Sequence, residues 1–260
     1  RPGEGDAYHN RCMSLVKVLS EYILSLGQEA YIPNFFCKAY RPVLYIPSKE
    51  EVKELLQKMD SRTSHNSEQF RLDRECKILF LLYFCCGLRL SEGRLLKWEH
   101  IDLDKGILTV LGSKGNKDRL VYLPQDSLPV LKNYKERQEM LFPGIDWAFP
   151  GKDPHKPVSC SGVESSFNRH WAMLPVAKTI DKHPTPHCLR HAFVVERFNE
   201  WMHQGIDTNT MLPYLSRYLG HKSPDETYYY YHLVEKAFDT IREKDSVSGK
   251  VIPEVIPYEE

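Results

Sequence analysis

Between His187 and His232 the chain gathers imidazoles, a guanidinium and a run of phenols. His187-Cys188-Leu189-Arg190-His191 comes first, Leu219-Gly220-His221 next, and Thr227-Tyr228-Tyr229-Tyr230-Tyr231-His232 last. Upstream stand Gly87-Leu88-Arg89-Leu90-Ser91-Glu92 and the basic turn Ser113-Lys114-Gly115-Asn116-Lys117-Asp118-Arg119. These residue types suit cleavage of a phosphodiester without metal. Such a reaction must neutralise charge on the nonbridging oxygens, supply a nucleophile, dispose of its proton and protonate the leaving oxygen. Arg89 and Arg190 suit the first task, since a guanidinium stays charged and forks onto two oxygens. A tyrosine of the cluster can be the nucleophile, with a phosphotyrosyl bond storing the energy of the one broken. Lys114, on a hairpin, suits the general acid. His187 and Arg190 are three apart and share a helix face, so His187 can act as base or orient the phosphate. His221 can donate to the remaining oxygen.

Taken singly, each element also has a structural explanation. Leu-Gly-His is a common helix end, and Lys-Gly-Asn-Lys a solvated turn. The order and spacing of all five together favour a site. Within it, His191 reads as structural, because the neighbour of Arg190 points to another helix face. Glu92 reads as a structural partner, Lys117 and Arg119 as contacts to a DNA backbone, and Trp98, Trp147, Trp171 and Trp201 as core or interface.

The elements that must position these residues follow from periodicity. Residues 8–26 have apolar positions at helical spacing, with Gly27 as a stop. Residues 28–47, with Pro33, Pro42 and Pro47, form the best linker candidate. Ser48-Lys49-Glu50-Glu51 is a capping box that opens a helix running to about Met59. Residues 70–86 form a strongly apolar helix stopped by Gly87, and Ser91 caps a short helix through Lys97. Residues 107–111 and 120–123 are strand-like and make a β-hairpin. Helices follow at 128–141, 163–177, 187–203 and from Asp207 or Thr208 to Leu219. Ser223-Pro224-Asp225-Glu226 is a second capping box, and a last helix covers residues 234–244. The fold class is therefore α+β and mainly helical, with one small antiparallel hairpin sheet.

At 260 residues and 42% hydrophobic composition the chain can bury one large core and a smaller piece. It starts at Arg1 with no signal-peptide pattern, which reads as a fragment of a longer or processed chain. No apolar run approaches the roughly 18 residues of a membrane span. Seven cysteines without a C-x-x-C pair indicate reduced thiols in a cytosolic protein and no zinc site. The formal net charge of +0 is unusual for a DNA-binding protein. Positive charge is local, however, at Arg89, Arg94 and Lys97 and along the hairpin.

The boxes resemble the tyrosine recombinase (phage integrase) family from about residue 45 to 235, and its mobile-element members in particular. Gly87 to Glu92 is similar to the family's first arginine box, Lys114 to its hairpin lysine, His187 to His191 to its H-x-L-R-H box, and Leu219 to His221 to its L-G-H box. The family's nucleophile stands nine residues after that last histidine, three after a threonine and two before a histidine. Tyr230 meets all three spacings, with Tyr229 and Tyr231 as alternatives should the register shift. The gap from Arg190 to His221 is longer than in compact members, with Asn199 to Pro213 lengthening a helix or loop.

The resemblance implies a catalytic domain over residues 46–245, with the end of a helical core-binding (SAM-like) domain plus linker at 1–45 and a tail at 246–260. It implies a recombinase, integrase or transposase of a mobile element that works through a 3′-phosphotyrosyl intermediate. Arg89, Lys114, His187, Arg190, His221 and Tyr230 would be catalytic, with no metal or other cofactor. The partner would be double-stranded DNA, bound by a homotetramer assembled from monomers in the bacterial cytosol. The rival readings are a type IB topoisomerase and a DNA-binding relative without catalysis.

Overall fold

The computed structural model describes residues 4–34, 37, 45–61, 66–113 and 117–230. Lys114, Tyr231, the helix expected at 234–244 and the expected tail lie outside them. By internal contacts the chain divides into residues 1–44 and residues 45–260. In the first unit, helix α1 (Glu4–Ser25) is tied to Cys37 by the Asn10 side chain. Its amide donates to the Cys37 carbonyl, and its oxygen accepts from the Cys37 N–H, each at 2.8 Å. Gly27, at φ 75°, follows the end of the helix.

The second unit is built around α3 (Ser67–Cys86). Its apolar residues face several sides, as a helix surrounded by others requires. Leu79, Phe80, Leu82, Tyr83 and Cys86 are all buried. Around α3 pack α2 (Lys49–Ser61), α6 (Cys160–Trp171) and α7 (His187–His203). The capping box of α2 forms as expected, with the Glu51 N–H donating to Ser48 Oγ at 3.2 Å and the Ser48 N–H to Glu51 Oε2 at 2.9 Å. Helix α3 starts earlier than its apolar run, because the Asn66 side chain accepts from the Gln69 N–H and caps it. It ends at Gly87, whose φ of 63° is left-handed. A Cβ there would also meet the Phe193 ring at 2.6 Å, so the position needs glycine twice over.

The short helix α4 (Leu90–Arg94) starts two residues before a helix capped by Ser91 would, and stops at Arg94, short of Lys97. The Glu92 carboxylate reaches back instead, accepting from the Arg89 N–H at 2.7 Å. The sheet has three strands rather than the two of a hairpin. β1 (Ile101–Asp102), β2 (Ile107–Ser113) and β3 (Lys117–Tyr122) run antiparallel in that order, with Ile101 opposite Leu108 and Leu108 opposite Val121. Helix α5 (Leu128–Leu141) follows the sheet. Helix α6 stops at Trp171, short of residue 177, and a 3-10 turn at Pro175–Lys178 takes over. Helix α8 (Thr208–Leu219) is capped by Asp207 and ends at Gly220, with φ 66°. In α9 (Asp225–Tyr228) the expected capping box does not form. Ser223 Oγ pairs with Asp225 rather than with Glu226. Among the described residues no helix is long and apolar enough to cross a membrane.

Candidate active site

Three helix ends meet where the chemistry-bearing residues stand: the C-termini of α3 and α8 and the N-terminus of α7. The last carbonyls of a helix lack partners within it and carry its negative end. Here arginines fill that role. Arg190, only 2% exposed, donates from Nη1 to the Gly87 carbonyl at 2.6 Å and from Nη2 to the Leu219 carbonyl at 2.8 Å. Arg89 donates from Nη2 to the Gly220 carbonyl at 2.7 Å. Arg119 donates from Nε to the Tyr218 carbonyl at 2.8 Å. Three consecutive carbonyls at the end of α8 thus hold three arginines drawn from distant parts of the chain.

Glu92 is the counter-charge at the centre. Its carboxylate accepts from Arg89 Nη1 at 2.8 Å and lies 3.7 Å from Arg190 Nη1. Both terminal nitrogens of Arg119 also donate to it. Burial alone would raise its pKa, but hydrogen bonds from Arg119 and Arg89 bring it down to about 2. Burial, with Arg89 nearby, lowers Arg190 to about 10, which leaves it charged at neutral pH.

Burial and neighbouring cations push the site histidines toward the neutral form. His221 Nε2 lies 3.1 Å from Arg190 Nη2, which can only donate, and its Nδ1 lies 2.7 Å from Thr227 Oγ1. Those partners fix the tautomer: Nε2 accepts, and Nδ1 carries the proton toward Thr227. Burial and the adjacent arginines lower the His221 pKa to about 4. Donation from His221 to a phosphate oxygen therefore requires a second proton, which an incoming anion would favour. His187, at the first position of α7, is also lowered, by burial and by Arg190 and Arg89.

Of the three described tyrosines of the cluster, Tyr228 and Tyr229 are 43% and 41% exposed, whereas Tyr230 is 5% exposed. The Tyr230 hydroxyl lies 2.5 Å from His191 Nδ1. Tyr230 belongs to a buried apolar cluster with Phe193, Val194, Phe198, Leu212, Leu215 and Leu219, and its ring lies 5.3 Å, centroid to centroid, from that of His191. Burial raises its pKa to about 12, against the lowering effect of Arg190.

Arg89, Arg190 and His221 are thus joined by hydrogen bonds, and Tyr230 reaches the same helix α7 through His191. The edge of the His187 ring stacks against His191, with centroids 4.6 Å apart. Lys114 and the Lys117 side chain lie outside the described residues. One reading is corrected. Arg119, expected on a DNA backbone, is turned inward, with Nε on the Tyr218 carbonyl and both Nη atoms on Glu92. His191, read as structural and on another helix face than Arg190, touches the Tyr230 hydroxyl. Its spacing of four from His187 was the available signal, since residues i and i+4 share a helix face. Thr227, used only as a spacing mark, is fully buried and bonded to His221.

A sequence profile of the phage integrase family matches residues 48–237. The chain is 29% identical over 238 residues to the integrase/recombinase y4rB of Sinorhizobium fredii, covering 84% of this chain and 71% of that protein. It is 28% identical over 235 residues to tyrosine recombinase XerC of Alcanivorax borkumensis, covering 90% of this chain and 71% of that one. The integrase of transposon Tn1549, solved with a circular intermediate DNA, has a similar fold at a TM-score of 0.66 and 15% identity, covering 90% and 78% of the two chains.

Proposed function

The chain belongs to the phage integrase family, the tyrosine recombinases that break and rejoin DNA, and we propose that it does so through Tyr230. In this reading the Tyr230 oxygen attacks a phosphate, forms a 3′-phosphotyrosyl bond and releases a 5′ hydroxyl. A 5′ hydroxyl from a partner duplex then reverses the step and joins the strands. Arg89 and Arg190 hold the nonbridging oxygens and stabilise the charge that develops on them. Their guanidinium groups are fixed before DNA arrives, so little reorganisation is left for the reaction. His221 and His187 line the same pocket, the first as donor to the phosphate once protonated, the second as an orienting group. Lys114 supplies the proton to the leaving 5′ oxygen.

The observation that carries this reading is the convergence of Arg89, Arg190, His221 and Tyr230, the buried one among the described tyrosines of the cluster, on the joined ends of α3, α7 and α8. The partner is double-stranded DNA, as it is for the transposon integrase of similar fold. The active form is a tetramer on paired sites, assembled from monomers in the bacterial cytosol, with residues 235–260 docking on a neighbour. Residues 46–245 are the catalytic domain, and residues 1–45 close a core-binding domain.

Covalent trapping tests the assignment. The chain and its Tyr229→Phe, Tyr230→Phe and Tyr231→Phe variants are incubated with nicked suicide duplexes from the ends of the element that encodes it. An adduct on a denaturing gel, lost only in Tyr230→Phe, is the expected result. Loss in Tyr229→Phe or Tyr231→Phe instead would move the nucleophile. Relaxation of supercoiled DNA without a specific site would favour topoisomerase chemistry.

A further inference from the structure

We propose that His191 accepts the proton of Tyr230 as its oxygen attacks the phosphate, and that it aims the hydroxyl beforehand. This deepens the assignment of Tyr230 as nucleophile and rests on it.

Geometry comes first. His191 Nδ1 lies 2.5 Å from the Tyr230 hydroxyl oxygen, in direct hydrogen-bond contact. Both side chains are buried, His191 at 9% and Tyr230 at 5% exposure, so bulk water does not compete for the proton. His187 meets the His191 ring edge to face, with centroids 4.6 Å apart, and the hydrogen bond to the Tyr230 hydroxyl is made by His191. Arg190 is committed to two carbonyls and His221, and as a guanidinium it can only donate.

Chemistry comes second. A phenol raised by burial is a poor nucleophile until a base takes its proton. His191 is surrounded by His187 and Arg190 on its own helix and by His221 at the end of α8. Burial and these neighbours hold it neutral, with Nδ1 free to accept. The same neighbours make it a weak base before DNA binds. A phosphate bound between Arg89 and Arg190 brings negative charge close to the ring, and that charge grows in the transition state, so His191 becomes more basic as it is needed.

The step balances. The Tyr230 O–H bond breaks and its proton passes to Nδ1. The Tyr230 O–P bond forms while the bond from phosphorus to the 5′ oxygen breaks, and that oxygen leaves with a proton from Lys114. In rejoining, the 5′ hydroxyl gives its proton back to Lys114, its oxygen forms the bond to phosphorus as the Tyr230 O–P bond breaks, and the imidazolium returns its proton to the phenolate.

The test is single-turnover cleavage of a nicked suicide duplex by wild type, His191→Asn and His191→Gln, with Tyr230→Phe as control. An amide can hold the hydroxyl but cannot take its proton. The expected loss of cleavage rate in both amide variants is about a hundredfold. DNA affinity by gel shift and the unfolding temperature should stay near the wild-type values. The rate of the variants should climb about tenfold per pH unit between roughly pH 7 and 9, as hydroxide replaces the lost base, while that of wild type climbs less steeply. Rejoining of a preformed adduct should slow by the same factor as cleavage, because the proton retraces its path.

Cleavage within about threefold of wild type in either folded variant would overturn the proposal. So would a slow variant whose pH profile parallels wild type, which marks a ring that only positions. An absent adduct in wild type strikes the nucleophile assignment itself. An adduct lost in Tyr230→Phe but kept in both amide variants strikes His191 alone.

Discussion

Glu92 and Arg119 are joined by two parallel hydrogen bonds, Nη1 to Oε1 at 2.8 Å and Nη2 to Oε2 at 2.7 Å. The pair ties β3 to α4, and the same carboxylate holds Arg89. The hairpin that carries Lys114 is therefore fastened at residue 119 to the group that orients the first arginine.

Removing Arg119 leaves that buried carboxylate with too few donors. Arg119→Ala should destabilise the protein by about 3 kcal/mol or more. Arg119→Lys should recover only part of it, because an ammonium cannot fork onto two oxygens. Urea unfolding measures both, and an Arg119→Ala midpoint equal to wild type would refute the structural role.

Acid should unfold the protein from the site outward. His191 is held down to about 3 and His221 to about 4, in both cases first by burial and then by neighbouring cations. The unfolded chain takes up protons on these rings below about pH 6.5, where the folded chain does not. Their contribution is full above that value and is lost as pH falls toward 4 and then 3. Glu92, held near 2, acts in the same direction at lower pH, between about 4.5 and 2. The unfolding temperature should be level above pH 7 and decline below 6.5. A shallower decline is expected for His191→Gln, which lacks one of the rings. A wild-type curve level down to pH 4 would contradict the neutral-ring picture.

The two arginines proposed to hold the phosphate should respond differently to lysine. Arg190→Lys loses the fork that spans the ends of α3 and α8, so both cleavage and the unfolding temperature should fall. Arg89 has an 18% exposed side chain and one carbonyl contact. Arg89→Lys should lose cleavage by at least about a hundredfold with a smaller effect on stability. Adduct formation beside thermal unfolding separates the two, and equal stability losses would contradict it.

Thr227 sets the tautomer of His221. Thr227→Val keeps the shape and removes the oxygen, so cleavage should slow by about five- to tenfold, the worth of one hydrogen bond. Thr227→Ser should restore most of the rate. If serine behaves like valine, the hydroxyl is not what matters there.

Much of this site was legible because local patterns carried it. The Arg89, His187-to-His191 and Leu219-to-His221 boxes announced residues that the fold joins across separations of 131 and 103 positions. Gly87 and Gly220 announced helix ends. Other features had no local signature. β1 is two residues long and has no period to read. The inward turn of Arg119 depends on Glu92, 27 residues away, and a charged residue beside a turn otherwise reads as solvated. The contact of His191 with Tyr230 is long-range, because its partner arrives from beyond α9. A face pointing away from Arg190 is still occupied when another segment packs there.

Tyr218, Leu219, Gly220 and His221 each accept a hydrogen bond from Arg119, Arg190 or Arg89. These four consecutive residues are the keystone of an arch, with the hairpin, α4 and α7 leaning on it from different sides. A keystone cannot be loosened for one stone alone. A shift in the end of α8 would disturb a contact of all three guanidinium groups at once, although each keeps a second anchor on Gly87 or Glu92. The three arginines of the proposed site thus share one short support in the chain, rather than each having a separate one.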